Sequence, residues 1–136
     1  MKAVSLLSVI RGALAGGLVA LCGFAGAAQL DLSPDAVLGK PNFTTGVSGS
    51  TSATNLTAVD QVAEDPLTGA LWVADETSHR VLRFSSAAAF ANGEAANLVL
   101  GQANFTANLG NRGGSVAANS LFYATGVAVD QAEVVV

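Results

Sequence analysis

One histidine, His79, closes the polar run Asp75-Glu76-Thr77-Ser78-His79, which separates two apolar stretches at 71–74 and 81–84. An imidazole can act as a base or a metal ligand, but a protein metal site takes three or four ligands held by supporting partners. No second histidine exists to complete such a set, and the only cysteine is Cys22, far from this run. His79 is therefore assigned a structural role, its ring bonded to turn backbone or to Asp75. Asp65, Asp75 and Asp130 each follow an extended run and read as turn residues whose carboxylates take up unpaired backbone amides. Glu64 and Asp65 are adjacent and point to opposite sides of a strand, so they do not form a carboxylate pair on one substrate. Arg80 and Arg83 could meet an acidic partner. As strand-flanking residues they are expected to pair with nearby Asp and Glu, and exposed pairs add little stability.

The remaining motifs are short of what their chemistry needs. Gly39-Lys40 has Pro34 where a phosphate loop needs its first glycine and Pro41 where it needs Ser or Thr. The run Gly-Val-Ser-Gly-Ser at 46–50 ends in Ser50 instead of the glycine of a nucleophile elbow. Three Asn-x-Thr sequons begin at Asn42, Asn55 and Asn104, but two share one repeat position, so a repeated turn explains them without a sugar. No nucleophile, base and orienting acid can be assembled. The expectation is a non-catalytic chain with no metal and no cofactor.

The N-terminus bears on compartment. Lys2 and Arg11 are the only charges before Asp31, and the apolar, small-residue stretch between them and Ala25-Gly26-Ala27-Ala28 predicts a secretory signal peptide over 1–28. An uncleaved anchor is the alternative, since 12–30 carries no charge and is about long enough to span a bilayer. Cleavage leaves Lys40, Arg80, Arg83 and Arg112 against ten carboxylates, moving the formal charge from −4 to −6. That charge repels phosphate backbones and anionic lipid, so neither nucleic acid nor, after cleavage, a membrane is an expected partner. Cys22 leaves with the signal, and the exported chain, secreted or periplasmic at the cell envelope, has no disulfide.

The elements that must hold these residues follow from composition and from a repeat. The chain is 51% hydrophobic and 12% charged with 15 glycines, which suits short strands joined by Gly, Asn and Ser turns better than long solvated helices. "VLGKPNFTT" at 37–45 returns as "VLGQANFTA" at 99–107, 62 residues on, with six of nine positions identical. Leu56, Val62 and Asp65 then align with Leu121, Val127 and Asp130 at a spacing of 65, which puts a three-residue insertion in the loop-like connection. Within unit one, strands are expected at 61–64, 70–74 and 80–84, with Asp65-Pro66 and Gly69 forming the first turn. Ser85-Ser86 are expected to cap an Ala-rich helical turn that ends at Asn92-Gly93, and 96–101 to begin a fourth extended piece. The strands are apolar on both sides, which calls for a sheet covered on both faces.

The stretch "QVAEDPLTGALWVADETSHRVLRF" resembles the NHL-repeat signature, and "VLGQANFT" with "FSSAAAFANGEA" resembles its long-spaced bacterial variety. The likeness covers about residues 35 to 130, with departures at Gln61 and Glu64, where Gly126 and Val129 stand in unit two. It implies an all-β fold: one full and one incomplete blade-like, four-stranded antiparallel unit of a β-propeller, preceded by an N-terminal signal helix. Unit one would span about 35–98 and a truncated unit two about 99–136, so 29–136 reads as a partial propeller needing further blades or self-association, and poor solubility is expected of it alone. His79 falls at the signature's histidine. The resemblance implies a binding or scaffolding module for a protein or carbohydrate ligand. Alternatives are part of a metal-dependent propeller lyase or lactonase, a rim of carboxylates from Asp65, Asp75 and Asp130 holding calcium, or a nonfunctional truncated product.

Overall fold

The computed structural model describes residues 34, 36–46, 49–86, 91–130 and 133–136. The expected signal peptide and its helix, and the Ala-rich helical turn at 87–90, lie outside these residues. The rest is all-β. Strands β1 (Val59–Glu64), β2 (Ala70–Asp75), β3 (Arg80–Ser86) and β4 (Leu98–Leu100) form one antiparallel sheet in the order β1-β2-β3-β4. Strands β5 (Ala128–Asp130) and β6 (Glu133–Val135) pair antiparallel in a second, two-stranded sheet. Single 3₁₀ turns occupy Glu76–Ser78 and Gly110–Gly113.

The strands run longer than local signals suggest. β1 begins at Val59, where a bulge between Val59 and Gln61 resets its register against β2. Ser85 and Ser86 are the last residues of β3, with Ser86 paired with Ala70 of β2; the helical turn they are expected to cap lies outside the described residues.

Alternation along β2 and β3 sends side chains to two faces. On the first, Val73, Leu82 and Phe84 are buried with Leu56 and Ala96, and Leu38, Leu71, Val99 and Phe105 pack against them. On the second, Trp72, Ala74 and Val81 are buried with Ala124 and Val127, beside Ala63, Leu100, Leu121, Val129 and Val134. Both faces are covered, as the apolar strands require, but not in the same way. Unit two covers the Trp72 face, but the Phe84 face is covered by the chain's own connecting segments, through Leu38, Leu56 and Phe105. A few large apolar side chains on a loop exclude water from a narrow sheet as well as a neighbouring strand does.

The sequence repeat is also a repeat of contacts. Gly39 (φ 74°) and Gly101 (φ 84°) adopt left-handed backbone, and a Cβ at either would lie 2.6 Å from Leu56 or Leu121 respectively. Each glycine thus lets the equivalent leucine close over it. Asn42 and Asn104 likewise repeat one turn. The Oδ1 of Asn42 accepts from the Thr44 amide at 3.0 Å and the Thr45 amide at 2.9 Å. The Oδ1 of Asn104 accepts from the Thr106 amide at 3.0 Å and the Ala107 amide at 2.9 Å. The departure at Gln61 has a physical reason. Its Oε1 accepts the Val127 amide at 3.1 Å, joining β1 to the start of β5, and lies 3.0 Å from where a Cβ of Gly126 would stand. One position carries the long polar side chain because its repeat partner is a glycine that leaves room for it.

Candidate functional site

Asp75 and Arg80 end β2 and open β3 as direct cross-strand partners on the Phe84 face. Both side chains are wholly buried and joined at 2.8 Å, Nη2 to Oδ2. Nε adds a second bond to Oδ2 at 2.9 Å. The remaining donors of the guanidinium go to backbone carbonyls, Nη1 to Ser52 (3.1 Å) and Phe105 (2.7 Å), and Nη2 to Asn55 (2.7 Å). Oδ1 of Asp75 accepts from the Thr57 amide at 3.0 Å, the Thr57 hydroxyl at 2.7 Å and the Ala58 amide at 2.9 Å. Four hydrogen bonds and the ion contact thus spread the guanidinium over one carboxylate and three carbonyls, a fan that suits the planar fork of arginine. The pair clasps the 52–58 segment and the 105 turn to the end of the sheet. Sequence reasoning expected Arg80 to pair nearby but at the surface; nothing local marks it for burial.

Burial drives the Asp75 carboxyl up, but the Ala58 amide, the Thr57 hydroxyl and Arg80 outweigh it and hold the group below its ordinary 3.8. A depressed folded-state value means that the stabilisation is complete above the unfolded-state value of about 3.9 and is lost as pH falls through the lower, folded one. Asp65 acts with the same sign, held down first by the Thr68 hydroxyl and then by the Leu67 amide. Urea midpoints should therefore be level from neutrality to about pH 5 and drop steeply below about pH 4. A midpoint unchanged between about pH 6 and pH 3 would mean that these carboxylates contribute nothing.

His79 follows the 3₁₀ turn with left-handed backbone, φ 51°. Its expected partners, turn backbone or Asp75, are not those of its ring, because both Asp75 oxygens are already engaged. Nδ1 accepts the backbone amide of Tyr123 at 2.9 Å. The ring stacks on Phe122, with centroids 5.1 Å apart and planes 10° from parallel, and meets Tyr123 edge-on at 4.7 Å. Tyr123 itself is left-handed, φ 52°, an unusual state for a bulky residue that such a bond helps to hold. His79 thus latches unit two to the turn between β2 and β3.

The four singled-out residues do not converge. Asp75 and His79 lie at one end of β2 and Asp65 at the other, roughly 15–20 Å away for a strand of this length. That separation removes the single rim of carboxylates for calcium. Asp65 caps its own turn, its Oδ1 accepting from Leu67 at 2.8 Å and Thr68 at 3.2 Å. Asp130 ends β5, exposed, opposite Glu133 in the ladder. Among the described residues no three His, Cys, Asp or Glu side chains gather as a metal would require.

A cavity of about 420 Å³ lies between β4, the 112–121 loop and β6. Val99, Leu100, Leu121 and Val134 give it apolar walls, and Gln102, Arg112, Asn119 and Ser120 its polar ones. Gln102 is the repeat equivalent of Lys40, the one trace of it in the sequence. Its Nε2 donates to the carbonyls of Ser78 (3.4 Å), His79 (2.9 Å) and Leu109 (3.0 Å). Since carbonyls only accept, the orientation of this amide is fixed, and its Oε1 is left without a partner. Asn111 (φ 52°), Arg112 (φ 58°) and Gly113 (φ 78°) form three successive left-handed residues at the cavity edge.

No protein-family model, no curated protein and no solved structure matches the chain. The resemblance to NHL repeats rests on the residues quoted for it.

Proposed function

We propose that the protein is an exported, non-catalytic binding or scaffolding module built from NHL-type propeller blades. The observation that carries this reading is the disposition of the repeat-equivalent strands. β1 lies beside β5, joined through Gln61 and Val127, while unit two packs across the Trp72 face of unit one. That is the relation expected of consecutive sheet units repeating about an axis, each burying a face of its neighbour. The buried polar chemistry of unit one, Asp75, Arg80 and Thr57, is spent on holding loops to the sheet, which favours a scaffold over a reaction centre. Val135 in β6 and Phe122 in the preceding loop are more than half exposed, apolar surface suited to a further unit or another copy.

The test pairs metal content with turnover on the purified protein. Less than stoichiometric zinc and calcium, with no esterase, lactonase or lyase activity, is the expected result. Stoichiometric metal accompanied by turnover would replace this reading with that of a metal-dependent enzyme. For the scaffolding element, sedimentation velocity should give a weight-average mass that rises with concentration; a sharp monomer at every concentration argues against assembly through these surfaces.

A further inference from the structure

We propose that the cavity between β4, the 112–121 loop and β6 is the seat of a complementing β-strand: an extended segment of another polypeptide, carrying Leu-x-Phe, that pairs antiparallel with β6 and buries both side chains in the cavity. This rests on the blade reading and deepens it by naming the partner's chemistry and where it docks.

The register of the two sheets fixes which residues correspond. In unit one Ala63 faces Trp72 and Glu64 faces Leu71 across β1 and β2. In unit two Ala128 faces Val135 and Val129 faces Val134. Since 63 and 64 align with 128 and 129 in the repeat, Val134, Val135 and Val136 stand where Leu71, Trp72 and Val73 stand in unit one. The cavity walls Leu100, Leu121, Val134 and Val136 are therefore the equivalents of Leu38, Leu56, Leu71 and Val73. Those four residues pack around Leu82 and Phe84 of β3, both fully buried. Gly39 and Gly101 seat Leu56 and Leu121 alike, so the chamber that holds the pair in unit one is built again in unit two. Its volume, about 420 Å³, takes both side chains, since a cavity of roughly 150 Å³ holds one benzene ring.

The backbone beside the cavity fits the same occupant. β2 pairs with β1 on one edge and β3 on the other, whereas β6, among the described residues, pairs with β5 alone. A free strand edge offers main-chain donors and acceptors, and pockets for alternate side chains make the addition selective. In unit one Leu82 lies opposite Val73, which sets the incoming leucine opposite Val136 and the phenylalanine, two residues on, against Val134. The segment belongs to another polypeptide because Leu82-Arg83-Phe84 is the one Leu-x-Phe in this chain, and a second copy could lend it only by giving up its own core.

The probe is the capped peptide Arg-Val-Leu-Arg-Phe-Ser-Ser, the sequence of 80–86, titrated into the full chain by calorimetry. Saturable one-to-one binding is expected. The peptide's Phe84→Ala form should bind at least about tenfold more weakly, the weight of burying one large apolar side chain. The isomer Arg-Val-Arg-Leu-Phe-Ser-Ser keeps charge and composition but sends Leu and Phe to opposite faces of a strand, and it should bind as weakly as the Phe84→Ala form. In the protein, Val136→Ser should weaken the parent peptide severalfold without moving the thermal melt, because Val136 is half exposed. No binding of the parent peptide, equal binding of its isomer, or indifference to Val136→Ser would overturn the proposal. Val135 and Phe122, the surfaces offered for self-association, are not among the walls of this cavity. Metal content, turnover and concentration-dependent mass are measured without the peptide, so a failure here leaves the scaffold reading standing.

Discussion

Replacing Arg80 with Met should destabilise the protein by about 3–5 kcal/mol, the range for removing one partner of a buried ion pair. Domains of this size have only about 5–15 kcal/mol in all, so the variant should be largely unfolded in low urea. The loss is not chiefly that of the Coulombic contact. The Asp75 carboxylate would be left buried with its Oδ2 unpaired, and the carbonyls of Ser52, Asn55 and Phe105 would lose their donors. For the same reason Asp75→Leu combined with Arg80→Met should not restore stability, because the amides of Thr57 and Ala58 would then be orphaned as well. Arg80→Lys should fall between, keeping the charge but losing the planar fork. Urea unfolding followed by far-ultraviolet circular dichroism gives these numbers. A loss under about 1 kcal/mol for Arg80→Met would show the clasp to be dispensable.

Phe84→Ala should cost about 3–5 kcal/mol, the range for emptying a large aromatic site in a core. Phe84 is fully buried against Leu56, Val73 and Leu82, at the place where Leu38 and Leu56 cover the sheet. Amides at 53–58 should lose protection from hydrogen exchange before those of β2 and β3, because that segment is held by this contact and by the clasp. Phe122→Ala provides the comparison. Phe122 is 61% exposed, and its loss should cost less than about 1 kcal/mol. Equal costs for the two phenylalanines would mean that the Phe84 face is not the core.

Both variants test contacts between segments far apart in the chain, and this is where sequence reasoning ran short. The four strands of unit one could be placed to within a few residues, because apolar alternation and turn chemistry are local. Asp65 with Thr68 and Gly69 makes its own turn, and the asparagines of the repeated Asn-Phe-Thr bond amides two and three residues on. The glycines of the repeat were visible as repetition, though not as seats for Leu56 and Leu121.

His79 shows the division within one residue. Its place in a tight turn follows from five consecutive polar residues between two apolar runs. That its ring accepts the amide of Tyr123, 44 positions away, depends on where unit two comes to rest. The same holds for Arg80, whose carbonyl partners lie 25 to 28 positions away, and for Gln102 and Arg112, which no local pattern singles out as neighbours of one cavity. The amino-acid order by itself determined the strands, the turns and the repeat, since each depends on residues within a few positions of one another. Tertiary structure alone decided which charges are buried, what covers each sheet face and where a cavity forms, because those outcomes depend on which distant segments share a desolvated space.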